Sequence, residues 1–95
     1  IQNISPLYLA DKTTLINIME MVSGLFLSKD IVYQNGKPAY LVDLAKAFEW
    51  LFNIKIGDCY QKHEDVIKRK SGKLTGFLNG LVELIKKEHD KKGYR

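Results

Sequence analysis

The segment from Tyr40 to Phe52 constrains the fold most strongly, because its apolar residues recur at spacings of three and four. Residues at this spacing lie on one side of an α-helix, so the segment predicts a helix packed against a core. The apolar positions are Leu41, Leu44, Ala45, Phe48, Leu51 and Phe52. We expect Val42 and Trp50 to widen the buried side, and Asn53 to end the helix in the left-handed conformation.

A second stripe of the same spacing lies between Asp11 and Leu27 and predicts the preceding helix. Its members are Leu15, Ile18, Met19, Val22, Leu25 and Phe26. Asp11 can cap this helix by accepting backbone N–H bonds, and Ser5 followed by Pro6 is an alternative start upstream. We expect the helix to end near Ser28.

Two further helices are predicted in the second half of the chain, with a Ser-Gly break at residues 71–72 between them. The third covers residues 58–70, because Asp58 followed by Gln61 resembles a capping box. Few of its residues are apolar, so we expect much of its circumference to face water. The fourth covers residues 74–91. Its expected inward-facing residues are Phe77, Leu78, Leu81, Val82 and Ile85.

The connector at residues 31–39 is compatible with two structures. Its apolar start leads into Asn35-Gly36, a pair that favours tight turns and would suit a short β-hairpin. Pro38, just past the turn, favours an irregular connector instead. With either connector, the sequence predicts an all-α class: a single four-helix domain over residues 1–95.

The composition fits one small globular domain. The chain has 95 residues, of which 45% are hydrophobic and 27% are charged, and this is enough for one core.

The chain has no apolar run long enough to cross a bilayer and no basic, apolar leader, so we expect a cytoplasmic protein that does not contact a membrane. Cys59 is the single cysteine and has no Cys or His at ligand spacing, so we expect no disulfide, metal or cofactor. Because the first residue is isoleucine, we expect the chain to be part of a longer protein.

The sequence has no motif of a known class of enzyme. It has no glycine-rich phosphate loop, no paired-histidine zinc motif and no nucleophile elbow. His63 stands beside Glu64, but neighbouring residues on a helix point apart and form a poor acid/base pair. We therefore expect no catalytic activity.

Charge is concentrated in the second half of the chain. Residues 1–54 carry four lysines against five carboxylates, whereas residues 55–95 carry eleven Lys or Arg against six carboxylates. A basic stretch of this kind favours binding to nucleic acid through the release of counterions. It is equally compatible with a solvated surface that has no charged partner.

The order of the elements favours binding to nucleic acid. A well-packed helix, a turn of about four residues and a polar helix have the order of a helix-turn-helix unit, whose second helix enters the major groove of double-stranded DNA. Nearby cations can pair with phosphates, and Gln61 or His63 could reach base edges. The candidate DNA-binding residues are Lys55, Gln61, Lys62, His63, Lys68, Arg69, Lys70 and Lys73.

A protein-interaction module is the alternative. Any helical bundle contains helix pairs joined by short turns, and the glycine usual in a helix-turn-helix turn is missing here. We expect that an exposed aromatic side chain such as Trp50 or Tyr33 would then dock against an N-terminal domain of the longer protein or against a second copy of the chain.

Several short stretches resemble the C-terminal region of the RteC family, the regulators of mobilisation of tetracycline-resistance conjugative transposons. Together they cover most of residues 8–90. The stretches are Lys12-Thr13-Thr14-Leu15, Asn35-Gly36-Lys37, Phe52-Asn53-Ile54-Lys55-Ile56-Gly57-Asp58 with Tyr60, Ile67-Lys68-Arg69-Lys70 and Thr75-Gly76-Phe77-Leu78-Asn79. The resemblance implies a transcriptional regulator that controls mobilisation or excision of a conjugative transposon. It also implies that the C-terminal half, to which this chain would correspond, carries a helix-turn-helix or winged DNA-binding unit.

Overall fold

The computed structural model of the protein describes residues 4–94. The elements within this range are α1 (Leu15–Ser28), α2 (Leu41–Phe52), α3 (Cys59–Ile67) and α4 (Gly76–Lys91). One isolated bridge is the only β-structure in the described range, so the predicted all-α class is confirmed. None of the helices in this range combines the length and the apolar character that a membrane span requires.

Helix α1 lies at the centre of the fold and contacts the other three helices, while α2 also packs on α3. Its stripe is buried most deeply at Val22, which has no exposed surface. The residues of the core are Ile18, Met19, Val22, Leu41, Leu44, Ala45, Ile56, Cys59 and Val66. The core is therefore built by α1, α2, α3 and the connector before α3.

Some of the capping residues predicted from the sequence cap the helices in the structure, and others do not. Asp58 accepts the backbone N–H of Gln61 at 3.1 Å, as predicted for the start of α3. The Gln61 side chain binds Asp65 instead of closing a reciprocal capping box. The prediction that Asp11 caps α1 is wrong, because Thr14 is the cap and its hydroxyl accepts the N–H of Asn17.

The connector between α1 and α2 does not form the short hairpin considered for residues 31–39. It has one antiparallel bridge, between Val32 and Pro38. Gly36 has a φ of 86°, as the expected tight turn requires, and its N–H binds the carbonyl of Tyr33. The N–H of Tyr33 donates to the carbonyl of Lys37 and that of Ala39 to the carbonyl of Ile31, each at 2.9 Å, and the pairing does not extend beyond this bridge into strands.

The connector between α2 and α3 covers residues 53–58 and is held at both ends. Asn53 ends α2 in the predicted left-handed conformation, with a φ of 54°. Its side-chain amide donates to the carbonyls of Ser5 and Leu7, at 2.7 and 2.9 Å. Glu49 of α2 accepts the N–H of Ile56 at 2.6 Å, which fixes the backbone next to Lys55.

Helix α4 packs on α1 through a buried carboxylate. Glu20 of α1 is 3% exposed, and its two oxygens accept the N–H groups of Phe77 and Leu78 at 3.4 and 3.0 Å. Thr75, at the N-cap position of α4, makes no capping bond. Glu20 therefore caps α4 from another helix, because it satisfies donors that a helix start leaves free.

The predicted burial of α4 and of Trp50 is wrong. No residue of α4 is buried: Phe77, Leu78 and Leu81 are half-buried, and Val82 and Ile85 are exposed. Trp50 is 55% exposed. Periodicity shows which side of a helix is apolar, but α4 contacts only α1 among the helices, and nothing in the described range covers the rest of its apolar side.

We expect Glu20→Gln to lower the free energy of unfolding by about 2 kcal/mol, because it leaves a partly buried arginine without its charge partner. Urea denaturation followed by circular dichroism measures the change. Glu83→Gln is the matched control: Glu83 is 73% exposed and 3.9 Å from Lys86, so its loss should cost less than about 0.5 kcal/mol. Equal effects of the two variants would contradict the structural role of Glu20.

Candidate nucleic-acid interface

The eight predicted DNA-binding residues lie on α3, just before it and in the segment that follows it. This segment, residues 68–75, joins α3 to α4 and is called the basic loop below. The side chains of Lys55, Gln61, Lys68, Lys70 and Lys73 are exposed, whereas those of Lys62, His63 and Arg69 are partly buried. The structure therefore divides the set into residues that face water and residues with neighbours in the fold.

Arg69 points into the protein. Its Nη1 lies 2.7 Å from Oε1 of Glu20, and its side chain is 24% exposed. The same carboxylate caps α4 through Phe77 and Leu78. Arg69 therefore ties the basic loop to α1, and its charge is neutralised within the protein.

His63 also contacts α1. Its Nδ1 is hydrogen bonded to the hydroxyl of Ser23 at 2.8 Å, and its ring packs edge-on against Phe26 with 5.7 Å between the ring centroids. Ser23 is 2% exposed. Through these contacts His63 connects α3 to α1, and its Nδ1 atom is bound within the protein.

The lysines of the basic loop face water. Lys68 lies 3.5 Å from Asp65, in an exposed ion pair that contributes little to stability. The N–H of Lys73 donates to the carbonyl of Lys70 at 2.8 Å, which closes a turn between them. Because Arg69 anchors the same loop, three lysines are presented to solvent from a segment that is fixed to the core.

The outward side of α3 has charges of both signs. Its exposed residues are Tyr60, Gln61, Glu64 and Ile67, and its partly exposed residues are Lys62, His63 and Asp65. The Gln61 amide donates to Asp65 at 3.0 Å, and this bond, together with the charge of Lys68, lowers the pKa of the Asp65 carboxyl. Asp65 is therefore ionised at neutral pH. Helix α3 itself carries one lysine, Lys62, and the other candidate cations flank the helix.

This arrangement suits binding of an anionic polymer. Exposed lysines pair with phosphates as point charges and need no precise geometry. Within the described residues, no group of three His, Cys, Asp or Glu side chains is placed to hold a metal ion. Cys59 is buried, with 4% of its surface exposed.

The residues that fix this surface are in α1, and sequence reasoning did not single them out. Glu20 and Ser23 are polar residues within the apolar stripe of the first helix, which is a signal that each has a buried partner. Their partners, Arg69 and His63, lie forty or more residues away in the sequence. Spacing along the chain gives no information about pairs at that separation.

The comparison with family models finds a match over residues 9–92, to the model described as RteC protein. The chain belongs to the RteC family. This membership confirms the resemblance noted in the sequence.

Among curated proteins, this RteC family member is similar to exportin-T of Chaetomium globosum. The two are 34% identical over 87 residues, a stretch that covers 85% of this chain and 8% of exportin-T. The chain thus spans less than a tenth of that protein. No solved structure matches the chain.

We expect Gln61→Ala to raise the pKa of Asp65 toward the usual value of an aspartate, because the amide bond of Gln61 is the largest influence that lowers it. An NMR titration of the Asp65 carboxyl carbon measures the shift. Lys68→Ala should raise the same pKa, since the charge and the hydrogen bond of Lys68 both lower it. An unchanged pKa of Asp65 in the Gln61 variant would contradict this geometry.

Proposed function

We propose that this chain is a DNA-binding domain of a transcriptional regulator that controls mobilisation or excision of a conjugative transposon. The observation that carries the proposal is the basic loop, from which Lys68, Lys70 and Lys73 face water while Arg69 holds the loop to Glu20. The proposal assigns the protein no catalytic step and no cofactor. Its ligand is double-stranded DNA.

In this proposal the phosphates are contacted by Lys55, Lys68, Lys70 and Lys73. Lys55 precedes α3 and the other three follow it, so the two ends of α3 would approach the DNA backbone. An anchored loop favours such contacts, because less conformational entropy is lost when its lysines meet the phosphates.

Helices α2 and α3 would serve as the helix-turn-helix unit. Their connector has six residues, 53–58, where about four were expected. Gln61 is the exposed polar residue near the start of α3, and the first turns of a recognition helix are the part that contacts base edges. The carboxylates Glu64 and Asp65 would repel phosphates, so we propose that the middle of α3 stays away from the DNA backbone.

Titration of labelled duplex DNA at several salt concentrations tests the proposal. With four phosphate contacts, log affinity should fall with log salt at a slope of roughly −3 to −4. A flat response, or no binding at low salt, would remove the proposal.

A pair of matched variants locates the contacts. Replacing all three loop lysines by glutamine should weaken binding and reduce the slope to about −1, because one phosphate contact remains. The control removes three lysines of α4, which lie outside the proposed interface, and should leave the slope unchanged. The control substitutions are Lys86→Gln, Lys87→Gln and Lys91→Gln. Equal losses in both variants would mean that binding depends on total charge and not on the basic loop.

A protein-interaction module without direct DNA contact is the second candidate. It is favoured by the exposure of apolar side chains on α4, of which Leu84 and Ile85 are 65% and 72% exposed. Exposed apolar residues that adjoin one another mark interaction sites more often than isolated ones do. This candidate predicts that removal of the loop lysines leaves partner binding unchanged, whereas polar substitutions on α4 abolish it.

A further inference from the structure

Helix α4 has an apolar side that the described part of the chain leaves uncovered. The helix has 16 residues and none of them is buried. Leu84 and Ile85 are among the most exposed large apolar residues of the protein, and Val82 is 45% exposed. Leu78, in the first turn of α4, approaches Gly24 of α1.

The apolar side of α4 continues into a groove against the start of α1. The groove is lined from α1 and the residues before it by Lys12, Thr13 and Asn17, and from α4 by Leu81 and Leu84. Gly76 and Gly80 also border it, and a Cβ at either position would meet no atom within 4 Å. The groove is thus open, and a second helix can come close to the α4 backbone at these glycines.

Charge indicates what covers this surface. Helix α4 carries three carboxylates and three lysines, so its formal charge is zero, whereas the whole chain carries +4. Within and just beyond the helix, Lys86 pairs with Glu83 at 3.9 Å and Lys92 with Glu88 at 3.8 Å. A neutral helix with both signs along it gains no counterion release from DNA and little attraction from an anionic membrane.

A second copy of the chain suits a surface that is apolar and has no net charge. Two molecules of a basic protein repel each other least when they approach through an uncharged surface. An interface between identical copies related by a two-fold axis requires a surface complementary to itself, and an apolar stripe with both charges on its flanks is of that kind. We propose that α4 pairs in antiparallel fashion with α4 of a second copy, with Leu84 and Ile85 at the centre of the interface.

The pairing should be of modest strength. A helix of 16 residues is about 24 Å long, so two such helices bury an area at the small end of protein interfaces. We therefore expect a dissociation constant of about 10–100 μM. The dimer would present two basic loops, but the proposal does not depend on DNA binding, and it is tested without DNA.

Sedimentation equilibrium of the whole chain over about 5 μM to 1 mM tests this proposal. We expect the average mass to rise with concentration, from a value closer to 10.9 kDa toward twice that mass. The double substitution Leu84→Gln and Ile85→Gln should give the mass of one chain throughout. Both side chains are exposed and glutamine is a good helix former, so circular dichroism should report unchanged helix content.

Asn79→Gln is the matched control, since it changes an exposed residue of the same helix outside the apolar stripe and should dimerise as the unmodified chain does. Three outcomes would overturn the proposal. One is a single-chain mass at every concentration, which would leave α4 to a different partner. The others are a dimer that survives the double substitution and assemblies that grow beyond two chains.

Discussion

The carboxylate of Glu20 is the contact on which the arrangement of the second half of the chain depends. It is buried in the central helix and reaches two elements at once: the Arg69 guanidinium in the basic loop and the free N–H groups at the start of α4. Apolar packing of α4 against α1 is only partial, because no residue of α4 is buried. A buried carboxylate requires charged or N–H partners, so it selects one position for the loop and for the helix that follows.

The apolar spacing of the sequence was sufficient to predict where the helices lie, and α2 was predicted to within one residue. Its broad stripe faces both α1 and α3, and an asparagine ends it. The same spacing predicted helix α4 correctly, but it did not predict that the apolar side of α4 is exposed. Periodicity identifies the apolar side of a helix, whereas burial depends on whether another element reaches it. Trp50 illustrates the same limit: it extends the α2 stripe in sequence and remains more than half exposed in the fold.

The candidate interface was predictable as a region and not residue by residue. Composition located the cations in the second half, and the loop lysines are exposed as a phosphate-binding surface requires. From the sequence, Arg69 and His63 were predicted to bind DNA together with those lysines. In the structure both contact α1 instead, Arg69 through Glu20 and His63 through Ser23. Which cations are used internally is decided by contacts between residues far apart in the chain. The polar residues inside the α1 stripe were the available signal, because such positions require partners.

Mapping of backbone amide shifts by NMR, as duplex DNA is added to the labelled chain, tests the central claim most directly: that Glu20 and Arg69 fix a loop whose lysines meet the phosphates. The account predicts that the amide signals of residues 55 and 68–73 move the most, while those of residues 82–91 stay in place. Shifts confined to α4, or to the outward side of α3 without the loop, would contradict it.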